Sequence, residues 1–237
     1  MTGTAMTSRW ELKSIYKCRV VPVPTNQPPQ RKRLPTRLFN NESAKWDAVV
    51  QEVLEVHQTC RPILIGTRTI DKSVILSEKL RQAGVEHAVL NANQVAEEAA
   101  IVAKAGEWGK VTVSTNMAGR GTDIKIADDI RLLGGLHVIC TEMHEAARID
   151  RQLIGRCGRQ GDPGTFRQYL SLNDELLRTA FGKKYRALSN DIRQFFRAQR
   201  LVEKKSYRNR KVMLYYENER KKMQRSMGQD PYLDAPN

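Results

Sequence analysis

Gln152, Gly155, Arg156, Gly158, Arg159 and Gly161 fall within ten consecutive positions of this chain. Arginine suits a phosphate group because its planar fork donates two parallel hydrogen bonds and stays charged. Arg156 and Arg159, spaced i and i+3 beside a helix, are expected as neighbours on one face. The interspersed glycines let backbone approach a ligand or a facing domain. A second cluster, Gly119, Arg120, Gly121, Thr122 and Asp123, lies upstream. A carboxylate such as Asp123 at a strand end can accept from a ribose hydroxyl or orient an arginine. The chemistry implied is stabilisation of negative charge on a phosphoryl group during transfer. Arg156 and Arg159 are the candidate catalytic residues, and Gly119, Arg120, Gly121, Asp123 and Gln152 the candidate nucleotide-binding residues.

The groups that hold a nucleotide's phosphates are missing. No G-x-x-x-x-G-K-[ST] string occurs, and Gly109-Lys110 is a decoy because Lys104 precedes it and Val111 follows. The run from Leu170 to Glu175 mimics a strand ending in Asp-Glu, but is read as a helix entry with Asn173 as N-cap and acids in the first turn. No metal site is expected. His144-Glu145 is followed by Arg148 where H-E-x-x-H needs histidine, and Cys18, Cys60, Cys140 and Cys157 are dispersed with no C-x-x-C. Reduced thiols are expected. Two arginine clusters without a phosphate loop read as half of a two-lobed nucleoside triphosphatase motor. The phosphates of the nucleotide and Mg2+ would then be held mainly by the other lobe.

These side chains need a frame, and hydrophobic periodicity predicts one. Residues 1–35 look irregular, with one plausible strand at 19–23. Five prolines between Pro22 and Pro35, with the basic trio Arg31-Lys-Arg33, read as an extended linker. From about residue 42 strands alternate with helices. Trp46, Val50, Val53 and Val56 recur at helical spacing, and Leu76, Leu80 and Ala83 share one face of a helix over 71–83. Strands are predicted at 62–65, 88–90, 111–114, 136–140 and 166–172, and further helices at 95–104 and 148–157. The pattern argues for a parallel doubly wound α/β sheet, whose ligands sit at the carboxyl ends of strands.

From about residue 183 the character changes. Residues 183–237 carry 15 Lys/Arg against 6 Asp/Glu, so +9 of the net +14 lies there. Leu188, Ile192, Phe195, Phe196 and Val202 give a partly amphipathic pattern, read as one or two long helices. The overall basic balance implies acidic partners: phosphates, anionic lipid or nucleic acid. No run approaches the ~20 apolar residues of a transmembrane helix, and no signal-peptide pattern opens the chain.

Several strings together resemble the SecA family, the ATPase motors of bacterial preprotein translocation. They are Thr2-Gly-Thr-Ala5, Ser14-Ile-Tyr-Lys17, Val23-Pro-Thr-Asn26, Ile65-Gly-Thr67, Leu90-Asn-Ala92, Glu98 to Ala103 and Thr115 to Ile124. Leu133 to Ile139, His144-Glu145, Arg148-Ile-Asp150, the arginine cluster and Tyr169 to Leu172 continue the match. The resemblance is dense over residues 1–180 and thinner over 200–225. It implies a RecA-like, P-loop-NTPase-type fold, that of a superfamily 2 helicase C-terminal lobe, with a long-helix extension. The division it implies is 1–35 for the end of the first lobe and the linker, 36–182 for the second nucleotide-binding lobe, and 183–237 for a basic helical scaffold segment. It further implies that Asp123 touches nucleotide and that Arg120, Arg156 and Arg159 stabilise the γ-phosphate across the lobe interface. The implied partners are the first lobe, a preprotein, a SecYEG-type channel and an anionic membrane surface. The implied location is cytoplasmic, peripheral to the inner membrane.

Cys140, Met143, Ile154 and Cys157 depart from residues usual in the family, while the phosphate-facing arginines are retained. Met1 falls at the Thr-Gly-Thr motif, which is read as a fragment, a split gene or a mis-called start. The chain alone is expected to bind nucleotide weakly and to hydrolyse almost none. Two alternatives remain: half of a superfamily 2 nucleic-acid helicase, and a non-enzymatic docking or lipid-binding lobe. Nucleic acid is the less favoured partner.

Overall fold

The computed structural model describes residues 3–90, 95–115, 122–187 and 191–228. In chain order these form a 3-10 turn (Ala5–Ser8), α1 (Arg9–Tyr16), β1 (Gln30–Arg33), β2 (Arg37–Phe39), α2 (Glu42–His57) and β3 (Ile63–Thr67). There follow α3 (Ile70–Gln82), β4 (Ala88–Leu90), α4 (Val95–Lys104), β5 (Val111–Thr115), α5 (Asp128–Leu132) and β6 (Leu136–Cys140). The rest comprises α6 (Ala147–Ile154), β7 (Pro163–Ser171), α7 (Glu175–Phe181), a second 3-10 segment (Gly182–Ala187) and α8 (Ile192–Ser226).

One sheet organises the chain. Its order is β1-β7-β6-β3-β5-β4, with β2 also on β7, and every described pairing is parallel. Strand residues alternate between faces, and both faces are covered. On one side Ile63, Ile65, Val111 and Val113 pack with Trp46, Val49 and Val53 of α2 and Leu76 and Leu80 of α3. On the other Leu64, Leu136, Val138 and Cys140 pack with Val102, Ile124 and Leu153. Each such fully buried aliphatic side chain contributes about 1.5–3 kcal/mol. A third cluster joins Leu176 and Leu177 of α7 to Phe195, Ala198 and Val202 of α8.

The N-terminal segment differs from its expectation. Residues 19–23 form no strand: Pro22 and Pro24 supply no N–H, and Val21 and Val23 are exposed. The sheet recruits β1 and β2 instead, from the stretch read as a linker and just beyond it. β1 pairs with the first half of β7, and Leu34 continues the ladder by donating to the Phe166 carbonyl at 2.8 Å. Pro35 then interrupts it, and β2 resumes against Tyr169–Ser171. An edge position tolerates this because the proline need not donate to a further strand. Residues 5–16, expected to be irregular, are a 3-10 turn and α1. Helix α1 has no buried residue, and α8 holds it through Arg210 on Glu11 and a 3.0 Å hydrogen bond between Ser14 and Tyr207.

Two further differences concern helix ends. The helix expected over 148–157 stops at Ile154, which leaves the arginine cluster in the following turn. The residue entering α7 is Asp174, not Asn173. Its carboxylate accepts from the Ser171 N–H at 2.9 Å and pairs with Lys45 of α2 at 2.6 Å, both side chains being buried. A single helix follows residue 191, capped by Asp191 on the Arg193 N–H; Leu188 lies outside the described residues.

A second buried polar network ties α2 to β6 and β7. Glu52 accepts from His137 Nε2 at 2.9 Å, from Arg167 at 2.8 Å and from the Tyr169 hydroxyl. The Glu52 carboxylate can only accept, so His137 carries a proton on Nε2, and its Nδ1 lies 2.7 Å from the Thr165 hydroxyl, which accepts from Arg61. Cys140 and Cys157 are buried, and Cys18 and Cys60 are exposed. Burial pushes the Cys157 thiol up to about 11, against the opposing pull of Arg31 and Arg61. Cys140 is raised well above its ordinary value by burial and by Asp150 nearby.

Two predictions follow from these environments. Ellman's reagent at pH 8 modifies Cys18 and Cys60 in the native chain, and Cys140 and Cys157 only after denaturation; rapid modification of either buried thiol contradicts the packing. Burial lifts Asp174 to about 6 even with Lys45 opposing it. Because that lies above the unfolded value, the stability this group contributes is complete below about pH 4 and declines as pH rises through 6. Lys45→Met removes the opposing charge and lifts the carboxyl further. Between pH 6 and pH 8 the variant therefore loses about 2 kcal/mol more stability than wild type, measured by urea denaturation. Parallel pH profiles for the two proteins would exclude this account.

Candidate functional site

A cavity of about 1290 Å3 lies beyond the carboxyl ends of β4 and β5. Its walls come from separate parts of the chain. Leu90, Ser114 and Thr115 contribute from the strand ends, and Thr122, Asp123 and Ile124 from the segment after β5. Arg151 and Gln152 come from α6, and Gly155, Arg156, Gly158, Arg159 and Gly161 from the turn behind it. Gly3, Thr4 and residues 25–27 close the remaining side. Asp123, Gln152, Arg156 and Arg159 are thus brought together, whereas Gly119, Arg120 and Gly121 lie outside the described residues.

The two arginines are held by backbone carbonyls. Arg156 Nη1 donates to the Thr122 carbonyl at 2.8 Å. Arg159 Nε donates to the Gly155 carbonyl at 2.8 Å, and its Nη1 meets Asp123 Oδ1 at 2.5 Å. Burial lowers the pKa of Arg156, and neighbouring Arg159 lowers it further against the pull of Asp123. Arginine remains charged at neutral pH regardless. The expected adjacency on one helix face is therefore met differently: the pair sits in a turn just past the helix, with Asp123 against Arg159.

The glycines have a structural reason that their spacing did not reveal. Gly158 has φ +63°, and a Cβ there would lie 2.8 Å from Arg31 Cβ; Gly161 has φ +84°, and its Cβ would meet the Gln27 side chain. The left-handed conformation disfavours a larger residue at both, and at Gly158 the Arg31 backbone leaves no room for a Cβ. What approaches these glycines closely is β1 and the segment before it. Arg31 Nε completes the contact by donating to the Cys157 carbonyl at 2.8 Å. Arg31 also lines the cavity, a placement legible in the sequence only as part of a basic trio. The register of β1 on β7 puts it there, pairing Arg31 with Gly164.

The donor set fits phosphate oxygens: Arg31, Arg151, Gln152, Arg156 and Arg159 all line one space. Asp123 is the one carboxylate lining the cavity among the described residues, where no group of three His, Cys, Asp or Glu could hold a metal ion. No described helix is long and apolar enough to cross a membrane.

The chain matches the family model described as the SecA P-loop domain over residues 28–132 and 127–195. It is 58% identical to protein translocase subunit SecA 2 of Rhodopirellula baltica, covering 100% of this chain and 38% of that protein. It is 45% identical to protein translocase subunit SecA of Desulfotalea psychrophila over 98% of this chain and 29% of that one. The chain thus spans about a third of the length of these relatives. Among solved structures, the Escherichia coli DEAD-box protein SrmB bound to RraA aligns with a TM-score of 0.50 at 22% identity, over 71% of this chain and 90% of that one. The yeast DEAD-box splicing factor Prp28 aligns with a TM-score of 0.50 at 18% identity, over 73% and 36%. At that identity the likeness concerns the fold, a RecA-like parallel-sheet lobe of the P-loop NTPase type. On the family match and the identity along its whole length, the chain belongs to the SecA family.

Proposed function

We propose that this chain supplies the second nucleotide-binding lobe and the start of the helical scaffold of a SecA-type motor, which couples ATP hydrolysis to protein translocation across a membrane. The observation that carries the reading is the convergence of Asp123, Gln152, Arg156 and Arg159 on one cavity beyond the strand ends. Residues 1–35 are the end of the first lobe and the connection, 36–182 the second lobe, and 183–237 the scaffold segment. Arg156 and Arg159 face the γ-phosphate of a nucleotide whose phosphates and Mg2+ are held mainly by the first lobe. ATP supplies the transferred phosphoryl group. Arg159 turns from Asp123 toward that group, and Asp123 accepts from the ribose or steadies the arginine. Gly119, Arg120 and Gly121, from the segment before Thr122, complete the nucleotide contact. Further partners are a preprotein, a SecYEG-type channel and an anionic membrane surface, with the basic exposed part of α8 suited to the last. The motor works at the cytoplasmic side of the inner membrane, peripherally associated.

Alone, the chain hydrolyses almost no ATP because it lacks a phosphate loop. Combined with the first lobe, it gains turnover that preprotein and anionic vesicles bearing the channel stimulate. In that assembly Arg159→Lys and Arg156→Lys each lower kcat by about 100-fold or more, because a lysine cannot present the bidentate fork. KM for ATP changes far less, as expected for contacts made mainly in the transition state. Unchanged kcat in both variants rules out the arginine roles. Stimulation by RNA but not by preprotein points to the helicase alternative.

A further inference from the structure

Helix α6, which leads into the arginine turn, lacks a cap of its own. Its N-cap residue is Ala146, which has no side-chain acceptor. The first four N–H groups of a helix need partners from outside it. The Ala147 N–H finds one in Glu203 of α8, 56 positions away, at 2.6 Å. A carboxylate there also meets the positive end of the helix dipole.

One turn earlier on α8, Gln199 makes the second contact. Its Nε2 donates to Asp150 Oδ2 at 2.6 Å and to the His144 carbonyl at 2.8 Å. Asp150 in turn accepts from the His144 N–H at 2.9 Å and lies 2.7 Å from His144 Nδ1. Gln199 and Glu203 stand i and i+4, on one face of α8. They grip the loop after β6 and the first turn of α6 together.

The far end of α6 reaches the arginines without slack. The Gly155 N–H donates to the Arg151 carbonyl at 2.8 Å and the Arg156 N–H to that of Leu153 at 2.9 Å. The Gly155 carbonyl then holds Arg159 Nε. An eight-residue helix is about 12 Å long and moves as a rod. Helix α8 itself has 35 residues, or about 50 Å. Phe195, Ala198, Gln199 and Val202 are buried near its start, and none of residues 203–226 is buried. It is packed at the end that grips α6 and is tied again to α1 through Tyr207 and Arg210.

We infer that Glu203 and Gln199 are positioning residues through which the orientation of α8 sets the placement of Arg156 and Arg159 at the cavity. The inference rests on the proposed role of those arginines, but its structural half can be tested on this chain alone. The readouts are amide exchange at the start of α6 and the NMR resonance of Arg159 Nε–Hε. In Glu203→Ala, exchange there accelerates about tenfold, as for loss of one charge-assisted hydrogen bond, and the Arg159 resonance shifts. Glu203→Gln, whose side-chain oxygen still accepts, restores both toward wild type. Leu80→Ala, a core truncation in α3 outside this network, lowers stability and leaves the Arg159 resonance in place. Faster exchange at α6 with an unmoved Arg159 resonance overturns the inference, as does an equal shift in Leu80→Ala.

In the assembly with the first lobe, Glu203→Ala is expected to lower kcat about tenfold, with KM for ATP changed less than about twofold. A shifted resonance with unchanged kcat leaves the coupling standing and refutes the catalytic role of the arginines. An unmoved resonance refutes the coupling whatever the turnover.

Discussion

Four arginines, Arg31, Arg151, Arg156 and Arg159, line one cavity, and Asp123 is the single carboxylate among the described residues that line it. Two like charges ~5 Å apart near a protein surface repel by about 3 kcal/mol. A flexible chain would relieve this by swinging the side chains outward. Here the carbonyls of Thr122, Gly155 and Cys157 each take a guanidinium N–H and hold it inward. The cluster keeps a demand for negative charge that the chain itself only partly meets. Arginines held before a ligand arrives require less reorganisation when charge develops on it.

Holding them demands a stiff surround. The glycine turn is pressed from one side by β1, because Gly158 and Gly161 leave room for Arg31 and Gln27. It is joined on the other side to α6, whose first turn is locked by α8. The sheet supplies the fixed reference: β3 is central, and side chains from alternate positions bury against helices on both faces. The arginine turn is thus steadied both by the segment before the sheet and by the helix after it.

Buried charge elsewhere follows a similar logic. Desolvation outweighs pairing at Asp174, which sits near 6 although Lys45 lies 2.6 Å away. Such a pair adds little net stability, and a single apolar replacement exposes its full cost. What it contributes is geometry. Lys45 fixes where α2 meets the entry of α7, and Glu52 fixes the same helix against His137 of β6 and Arg167 and Tyr169 of β7.

Much of the frame was legible along the chain because helix and strand periodicity is a relation between near neighbours. The apolar runs 88–90 and 136–140 and the pattern 95–104 correspond to β4, β6 and α4 at the same bounds. The spacing of Gln152, Arg156 and Arg159 already pointed to phosphate, because the chemistry of arginine does not depend on the fold. The sequence could not show what surrounds them. Proline density over 22–35 suggested a linker, yet 30–33 join the sheet, as do 37–39 just beyond it, since an edge strand tolerates missing donors. The glycines were read as letting backbone approach a ligand or a facing domain, and at Gly158 and Gly161 the nearest neighbours are Arg31 and Gln27 of this chain. The cap of α6 comes from Glu203, and no local rule links positions 56 apart. Residue types and short spacings by themselves determined most of the elements from α2 to β7 and which ligand chemistry the arginines suit. Only the closing of the sheet decided which distant backbone and side-chain groups hold the arginines, because those contacts exist only once the strands have paired.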